Sequence, residues 1–268
     1  MIDSPHLVKP GKKVRLSELP TDDTGSFKNK HAAKKKSDEL IEQLAELQNV
    51  LYAEQKRSVL VVLQAIDAGG KDGTISHVFG GVNPQGCQVT SFKVPSELEA
   101  AHDFLWRIHA ATPRKGMIGI FNRSQYESVL VERVKKLVPQ SVWSRRYEQI
   151  NEFEAMLASE NTTILKFFLH ISRKEQKKRM MERIDVKSKN WKFNPGDLRD
   201  RQLWDDYMEA YDDAIERCST PDAPWYVVPA DHTWYTNYVV SDVLVRTLKS
   251  MNLEFPDPPK GLDKIVVK

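Results

Sequence analysis

VLVVLQAIDAGGKDGT, residues 59–74, joins a continuous apolar, β-branched run to a glycine-rich turn. Such runs suit a parallel strand buried on both faces, so a strand is expected over Val59–Ala65, with a helix beginning after the glycines. Strand, glycine turn, lysine and helix together make a recipe for holding phosphate. Gly69 and Gly70 let successive N–H groups turn inward, the helix adds its positive N-terminal end, and Lys71 is long enough to reach phosphate oxygens. Ala68, Gly69, Gly70, Asp72, Gly73 and Thr74 form the expected phosphate cradle around it. The match to G-x-x-x-x-G-K-[ST] is imperfect, with Ala65 where the pattern has Gly and Asp72 where it has Ser or Thr. The bland alternative is an ordinary glycine-rich turn with a surface lysine. Two carboxylates in the turn, Asp67 and Asp72, favour phosphate, because Mg²⁺ prefers oxygen ligands and is commonly held beside bound phosphates.

Working outward, Leu40, Leu44, Leu47 and Leu51 fall on one face of a helix expected over Ala32–Glu54. Residues 1–30 are polar, broken by Pro and Gly, and predicted to be an extended arm. Further short strands are expected at Gln88–Phe92, Met117–Phe121, Thr163–Leu169 and Trp225–Val228, separated by helical stretches. Ser96 with Glu99 and Ser172 with Glu175 have the spacing of capping boxes. Strands alternating with helices predict a three-layer α/β fold, a parallel sheet flanked by helices. Between the last two strands, about 172–217, two helices joined by the polar loop DVKSKNWKFNPG form a basic insert where kinases of this architecture carry a lid. Trp204, Tyr207, Tyr211 and Ile215 in its second helix are taken as packing residues. The proline-containing tail, with Ile265–Val267, is expected to be extended. No linker divides the chain, so 1–268 is treated as one domain.

Composition narrows the classes. The 268 residues are 40% hydrophobic and 29% charged, a globular balance rather than a disordered one. No apolar run approaches the roughly 18 residues of a membrane span, and MIDSPHLVKPGKKVRL lacks the apolar core of a secretion signal. Cys87 and Cys218 show neither metal spacing nor a disulfide framework. A cytoplasmic protein with reduced thiols is expected. The net charge is only +3, but Arg173–Lys192 holds nine basic and three acidic residues. Such a run is either a solvated face or a lure for a polyanion.

A second strand end carries FNRSQYESVLVERV, residues 121–134. Ligand groups gather at the carboxyl ends of strands in open α/β sheets, which places Asn122 and Arg123 beside the glycine turn. Arg123 has the fork geometry for a phosphoryl group. Glu127 and Arg133 either face the same cleft or are surface helix residues. Arg179 and Arg183, four apart, share a helix face and, given a phosphate loop upstream, are read as a clamp on a transferring phosphoryl group; Lys192 lies in the loop beyond.

Together these segments resemble the polyphosphate kinase 2 family. The likeness is carried by QAIDAGGKDGT (64–74), GVNPQGCQVTSFKVP (81–95), DFLWRIH (103–109), PRKG (113–116), FNRSQYE (121–127), VERV (131–134) and WKFNPGDLRDR (191–201), in that order. Each is weak alone; the ordered set is specific and spans nearly the whole chain. Asn122 and Glu127 are similar to the class III branch, other branches having Asp before the Arg. The resemblance implies a P-loop fold like that of thymidylate kinase, a requirement for Mg²⁺ with Mn²⁺ as a substitute, and reversible phosphoryl transfer from inorganic polyphosphate to nucleotides. For the class III branch it implies AMP to ADP and ADP to ATP, with guanine nucleotides as further acceptors, and a homo-oligomer, dimer or tetramer. It assigns Asp67 to the metal, Lys71 to the phosphate loop, Arg123 to phosphate contact, Arg179, Arg183 and Lys192 to the lid, and Glu127 to AMP handling. Ser128 departs from the family, which often has Asp there, and removes a negative charge near the site.

The mechanism expected is direct in-line transfer, catalysed by positioning and charge neutralisation; His77, His102 and His109 lack a nucleophile context. A polyphosphate chain needs a basic groove, for which Arg107, Arg114, Lys115, Arg199 and Arg201 are candidates. An ATP-dependent nucleoside monophosphate kinase is the rival enzyme. A nucleic-acid binder would rest on basic clusters without interleaved aromatics and is not expected, and a GTPase-like switch lacks an NKxD motif.

Overall fold

In the computed structural model, which describes residues 1–262, 265 and 267, sixteen strands and α-helices follow one another. They are β1 (Leu7–Val8), α1 (Lys30–Glu54), β2 (Ser58–Gln64), α2 (Lys71–Val78), β3 (Cys87–Ser91), α3 (Glu97–Ala100), α4 (Trp106–Ala110) and β4 (Ile118–Asn122). Then come α5 (Val131–Val134), α6 (Gln140–Ser159), β5 (Thr162–His170), α7 (Arg173–Asp185), α8 (Pro195–Gln202), α9 (Trp204–Cys218), β6 (Trp225–Pro229) and α10 (Thr233–Ser250). One six-stranded sheet has the order β1-β6-β5-β2-β4-β3. All pairings are parallel except β1 with β6.

β2 lies at the sheet's centre because both its faces can be buried. Val59, Val61 and Leu63 point into a core shared with α1, α2 and α10, whereas Leu60 and Val62 enter a second core shared with α6 and α9. The five predicted strands form within one or two residues of their expected bounds. The α1 stripe is buried as anticipated at Leu40, Leu44 and Leu51. Its N-terminus is set by Asn29, whose side chain accepts from the Ala32 amide at 3.0 Å.

Three local expectations differ. The arm is not merely extended: β1 adds to the sheet edge, Leu16 is fully buried, and its amide donates to Asp212 at 2.8 Å. Val8, Val14 and Leu16 have no regular period, so no element was legible there. The capping box at Ser96–Glu99 is complete, but at Ser172 only half forms. Ser172 Oγ accepts from the Glu175 amide, while the Ser172 amide donates to Asp231 and Glu175 turns to Arg179. The insert is not two helices but α7, a 3-10 turn at Lys187–Lys192, and α8. The helix carrying Trp204, Tyr207, Tyr211 and Ile215 is α9, which packs into the main cores. Of the expected 172–217 insert, the part from Trp204 onward is thus buried against the body of the fold. Of the tail expected over 265–267, residue 266 lies outside the described residues.

No helix among the described residues is long and apolar enough to cross a membrane.

Candidate active site

Parallel strands deliver all their carboxyl ends to one edge, and the 65–74 turn, the Arg123 turn and the start of α7 meet there. Gly69 is required by close approach, since a Cβ would lie 2.4 Å from the Ala65 Cβ. Gly70 has φ +102°, a conformation that disfavours side chains. It precedes α2 without any side-chain cap, which leaves the first-turn N–H groups of that eight-residue helix facing the turn. Ala68 and Arg123 occupy the left-handed region despite their side chains, at φ 62° and 65°. Such conformations persist where surrounding structure over-determines them. For Arg123 the constraint is visible: its amide donates to Leu63 O at 3.1 Å, tying the turn after β4 to the end of β2.

Lys71 is only 9% exposed. Its Nζ donates to Ala65 O at 2.8 Å, so the side chain folds back into its own turn. Burial, with the Arg123 guanidinium nearby, pushes its pKa down to about 8. Arg123 bridges two carboxylates, Asp67 Oδ1 at 2.6 Å and Glu127 Oε2 at 3.0 Å. Glu127, then Asp67, holds the guanidinium firmly charged against its own burial. Asn122 Nδ2 donates to Asp72 Oδ1 at 2.7 Å. From the insert, Arg179 reaches Ala68 O at 3.3 Å and also the carbonyl of Ala230, Gln176 donates to Asp67 O at 3.0 Å, and Lys192 lies 3.9 Å from Asp72. Cationic side chains, uncapped helix amides and carboxylates brought together in this way can hold a polyphosphorylated anion and one hard cation.

The chain's relatives agree with that chemistry. The family model for polyphosphate kinase 2 matches residues 27–256. The chain belongs to the polyphosphate kinase 2 family. A Meiothermus ruber protein described as an AMP/ADP-polyphosphate phosphotransferase is 55% identical over 262 residues, 97% of this chain and 98% of that one. An ADP-polyphosphate phosphotransferase of Rhodopseudomonas palustris is 45% identical over 92% of this chain and 90% of its own length. The crystal structure of polyphosphate kinase 2 from Arthrobacter aurescens superposes with a TM-score of 0.91 at 40% identity, covering 98% and 97% of the two chains.

Not every residue expected in this polyphosphate kinase 2 site is there. Arg133 faces away: it pairs with Asp213 at 2.6 Å and Glu209 at 2.8 Å, with its guanidinium 4.6 Å from the Trp143 ring centre. It pins α5 to α9. Arg114 and Lys115 are on the wrong edge. They precede β4, and residues before a parallel strand lie at its amino end, about 17 Å from its carboxyl end for five residues. Arg114 NH1 accordingly points at Gln55 Oε1, 3.4 Å away in the turn before β2. Arg201 is committed within the insert, donating to Arg173 O and Gln176 Oε1. Arg183 pairs with Asp197 at 2.8 Å rather than with the turn. Arg107 stays on the carboxyl edge beside β3, bonded to Lys93 O, and Arg199 is exposed on α8. Ser128 is buried and donates to Gln125 O at 2.7 Å, so its side chain stays inside the turn.

Four residues near the site were missed. Gln176 and Asp197 lie on the insert, and the Asp197 carboxyl is pushed up by burial and by the charge of Asp67. Burial raises the hydroxyls of Tyr207 and Tyr211, with the charges of Glu127 and Asp67 adding to it. Helical spacing marked those tyrosines as packing residues, and they are; the charges around their buried hydroxyls are a tertiary property.

Proposed function

We propose that this chain transfers phosphoryl groups from inorganic polyphosphate to AMP and ADP, reversibly. The observation that carries this is the convergence of Lys71, Asp67, Arg123 and Glu127 on a glycine turn whose amides are free of side-chain caps. The names of the two relatives supply the donor and acceptors and disfavour the ATP-dependent nucleoside monophosphate kinase.

A terminal phosphate oxygen of the nucleotide attacks the end phosphorus of the polymer. One P–O bond forms to the nucleotide, the bond to the next phosphate breaks, and the chain shortens by one unit. The attacking oxygen is already ionised, so no strong base is required. Lys71 releases Ala65 O and turns to the phosphates. Arg123 stays charged between Asp67 and Glu127, and Arg179 closes the other side. Loss of one such preorganised group commonly costs 10²-fold or more. Among the described residues no group of three or more His, Cys, Asp or Glu forms a preassembled metal site. One or two carboxylates with substrate phosphates completing the shell is the usual Mg²⁺ arrangement, and the donor set fits it, with Asp67 as the protein ligand. A bound Mg²⁺, or Mn²⁺ in its place, would neutralise phosphate charge there. Guanine acceptors and a dimeric or tetrameric assembly belong to the same proposal.

AMP, polyphosphate and Mg²⁺ without other donors should yield ADP first and ATP later. No product from polyphosphate, with ADP formed from ATP and AMP, would return the chain to the rival kinase class.

Two predictions concern substrate binding. Lys71 in the free enzyme loses its proton near pH 8, whereas bound phosphate favours the charged amine. kcat/KM, which reports the free enzyme, should therefore fall above about pH 8 while kcat holds to higher pH, as rate profiles from pH 6 to 10 would show. Arg114→Glu with Lys115→Glu should leave the KM for long polyphosphate within about twofold. A rise of tenfold would put the polymer across the amino edge of the sheet.

A further inference from the structure

Directly beneath the Arg123 turn lies an ion pair that the chemistry above does not use. Lys166 on β5 and Glu154 on α6 are 0% and 1% exposed, and Lys166 Nζ sits on Glu154 Oε2. Lys166 also donates to Tyr126 OH at 2.7 Å and Cys218 O at 2.6 Å. Glu154 Oε1 accepts from Tyr126 OH at 2.9 Å and from Gln125 Nε2 at 2.8 Å. The Lys166 ammonium lies 5.2 and 5.3 Å from the ring centres of Tyr126 and Trp225.

Buried pairs of this kind are poor stabilisers, because desolvation consumes most of their attraction and apolar replacements often fold as well. Their better-attested use is to specify one arrangement. The arrangement specified here is that of residues 124–128. Two of the groups that satisfy the carboxylate, Gln125 and Tyr126, belong to this turn. Ser124 Oγ receives Gln64 and the Tyr126 amide, and the Glu127 amide donates to Ser124 O. At one end of the turn stands Arg123 with its positive φ, and within it stands Glu127. Tyr126 and Gln125 therefore link the charged pair to the position of the guanidinium.

We propose that Glu154 and Lys166 are positioning residues, which fix the 124–128 turn and thereby hold Arg123 over Asp67. The functional consequence rests on the phosphotransfer reading above; the structural one does not. A displacement of about 1 Å at a reacting group is enough to cost up to about 10²-fold.

The test replaces the pair as a unit, Glu154→Leu with Lys166→Met, and separately makes Tyr126→Phe, which keeps the ion pair. Thermal melting, kcat and KM for AMP with polyphosphate, and a crystal structure are measured for each. The expected result is a folded protein whose kcat is lower by about 10- to 100-fold for the pair and a smaller factor for Tyr126→Phe. KM should change less than threefold, and the 2.6 Å Arg123–Asp67 contact should be lost in the pair variant's structure. Unchanged kcat in either folded variant, a change in KM alone, or an Arg123–Asp67 contact left in place would overturn it. Should the pair variant fail to fold, Tyr126→Phe decides by the same criteria. The crystal structure reads the positioning role without any substrate, so inactivity of the wild type with polyphosphate counts against the activity and not against this role.

Discussion

Lys71→Ala is expected to lower turnover by on the order of 10²-fold or more, with little change in melting temperature. The amine is buried, its charge is disfavoured in the free protein, and its one hydrogen bond is to a carbonyl of its own turn. Removing it leaves Ala65 O without that donor, a modest structural cost. It also removes a cation poised to leave a weak partner for a phosphate. Lys71→Arg retains charge but not shape: a planar guanidinium is larger than the compact ammonium that sits on Ala65 O, so only partial rescue is expected. Steady-state rates with polyphosphate and ADP check both. Wild-type turnover in Lys71→Ala would remove the lysine from the chemistry.

The largest effect on stability is expected from Lys166→Met alone. It strands Glu154, fully buried, with only the neutral donors of Tyr126 and Gln125. Breaking a buried pair from one side costs about 3–5 kcal/mol, which for a chain of this size lowers the melting temperature by roughly 10 °C. Burial already pushes the Glu154 carboxyl upward even with Lys166 present, so in the variant the carboxyl takes up a proton. The loss should be smaller at pH 5 than at pH 8, because the neutral acid is cheaper to bury. Calorimetry at both pH values checks the sign. Equal losses at the two pH values would mean that Glu154 is not the stranded charge. The double apolar replacement leaves no unpaired buried charge and is expected to lose less, although it strands Tyr126 OH and Gln125 Nε2, so the contrast separates breaking the pair from removing it.

Much of the architecture was legible because it depends on local signals. The run Val59–Ala65 suits a strand covered on both faces, and the glycines after it suit a turn. With strands expected at Val59–Ala65 and Met117–Phe121, the carboxyl-edge rule placed Asn122 and Arg123 beside the glycine turn; the contact with Asp67 is seen only in the structure. What was not legible depends on partners distant in the chain. Arg133 faces α9 because Asp213 and Glu209 await it there, 80 and 76 residues later. Arg114 and Lys115 looked like groove residues because charge alone carries no address. Their place before β4, not after it, puts them at the amino end of that strand. Leu16 sits in the core through an irregular arm that has no periodicity to betray it. Glu154 and Lys166 are ordinary surface types in the sequence, and nothing local marks them as fully buried. Asp197 sits in a polar loop-to-helix segment whose fold over the sheet is set by Arg183 and Arg201.

In this mechanism the 65–74 turn wraps a phosphoryl group, with Lys71 and Asp67 sharing its charge. A crystal structure with AMP, Mg²⁺ and a short polyphosphate tests it most directly. A phosphate is expected within hydrogen-bond distance of the backbone amides between Ala68 and Thr74, with Lys71 Nζ moved from Ala65 O onto its oxygens. Phosphates bound elsewhere, with Lys71 still on Ala65 O, would contradict it.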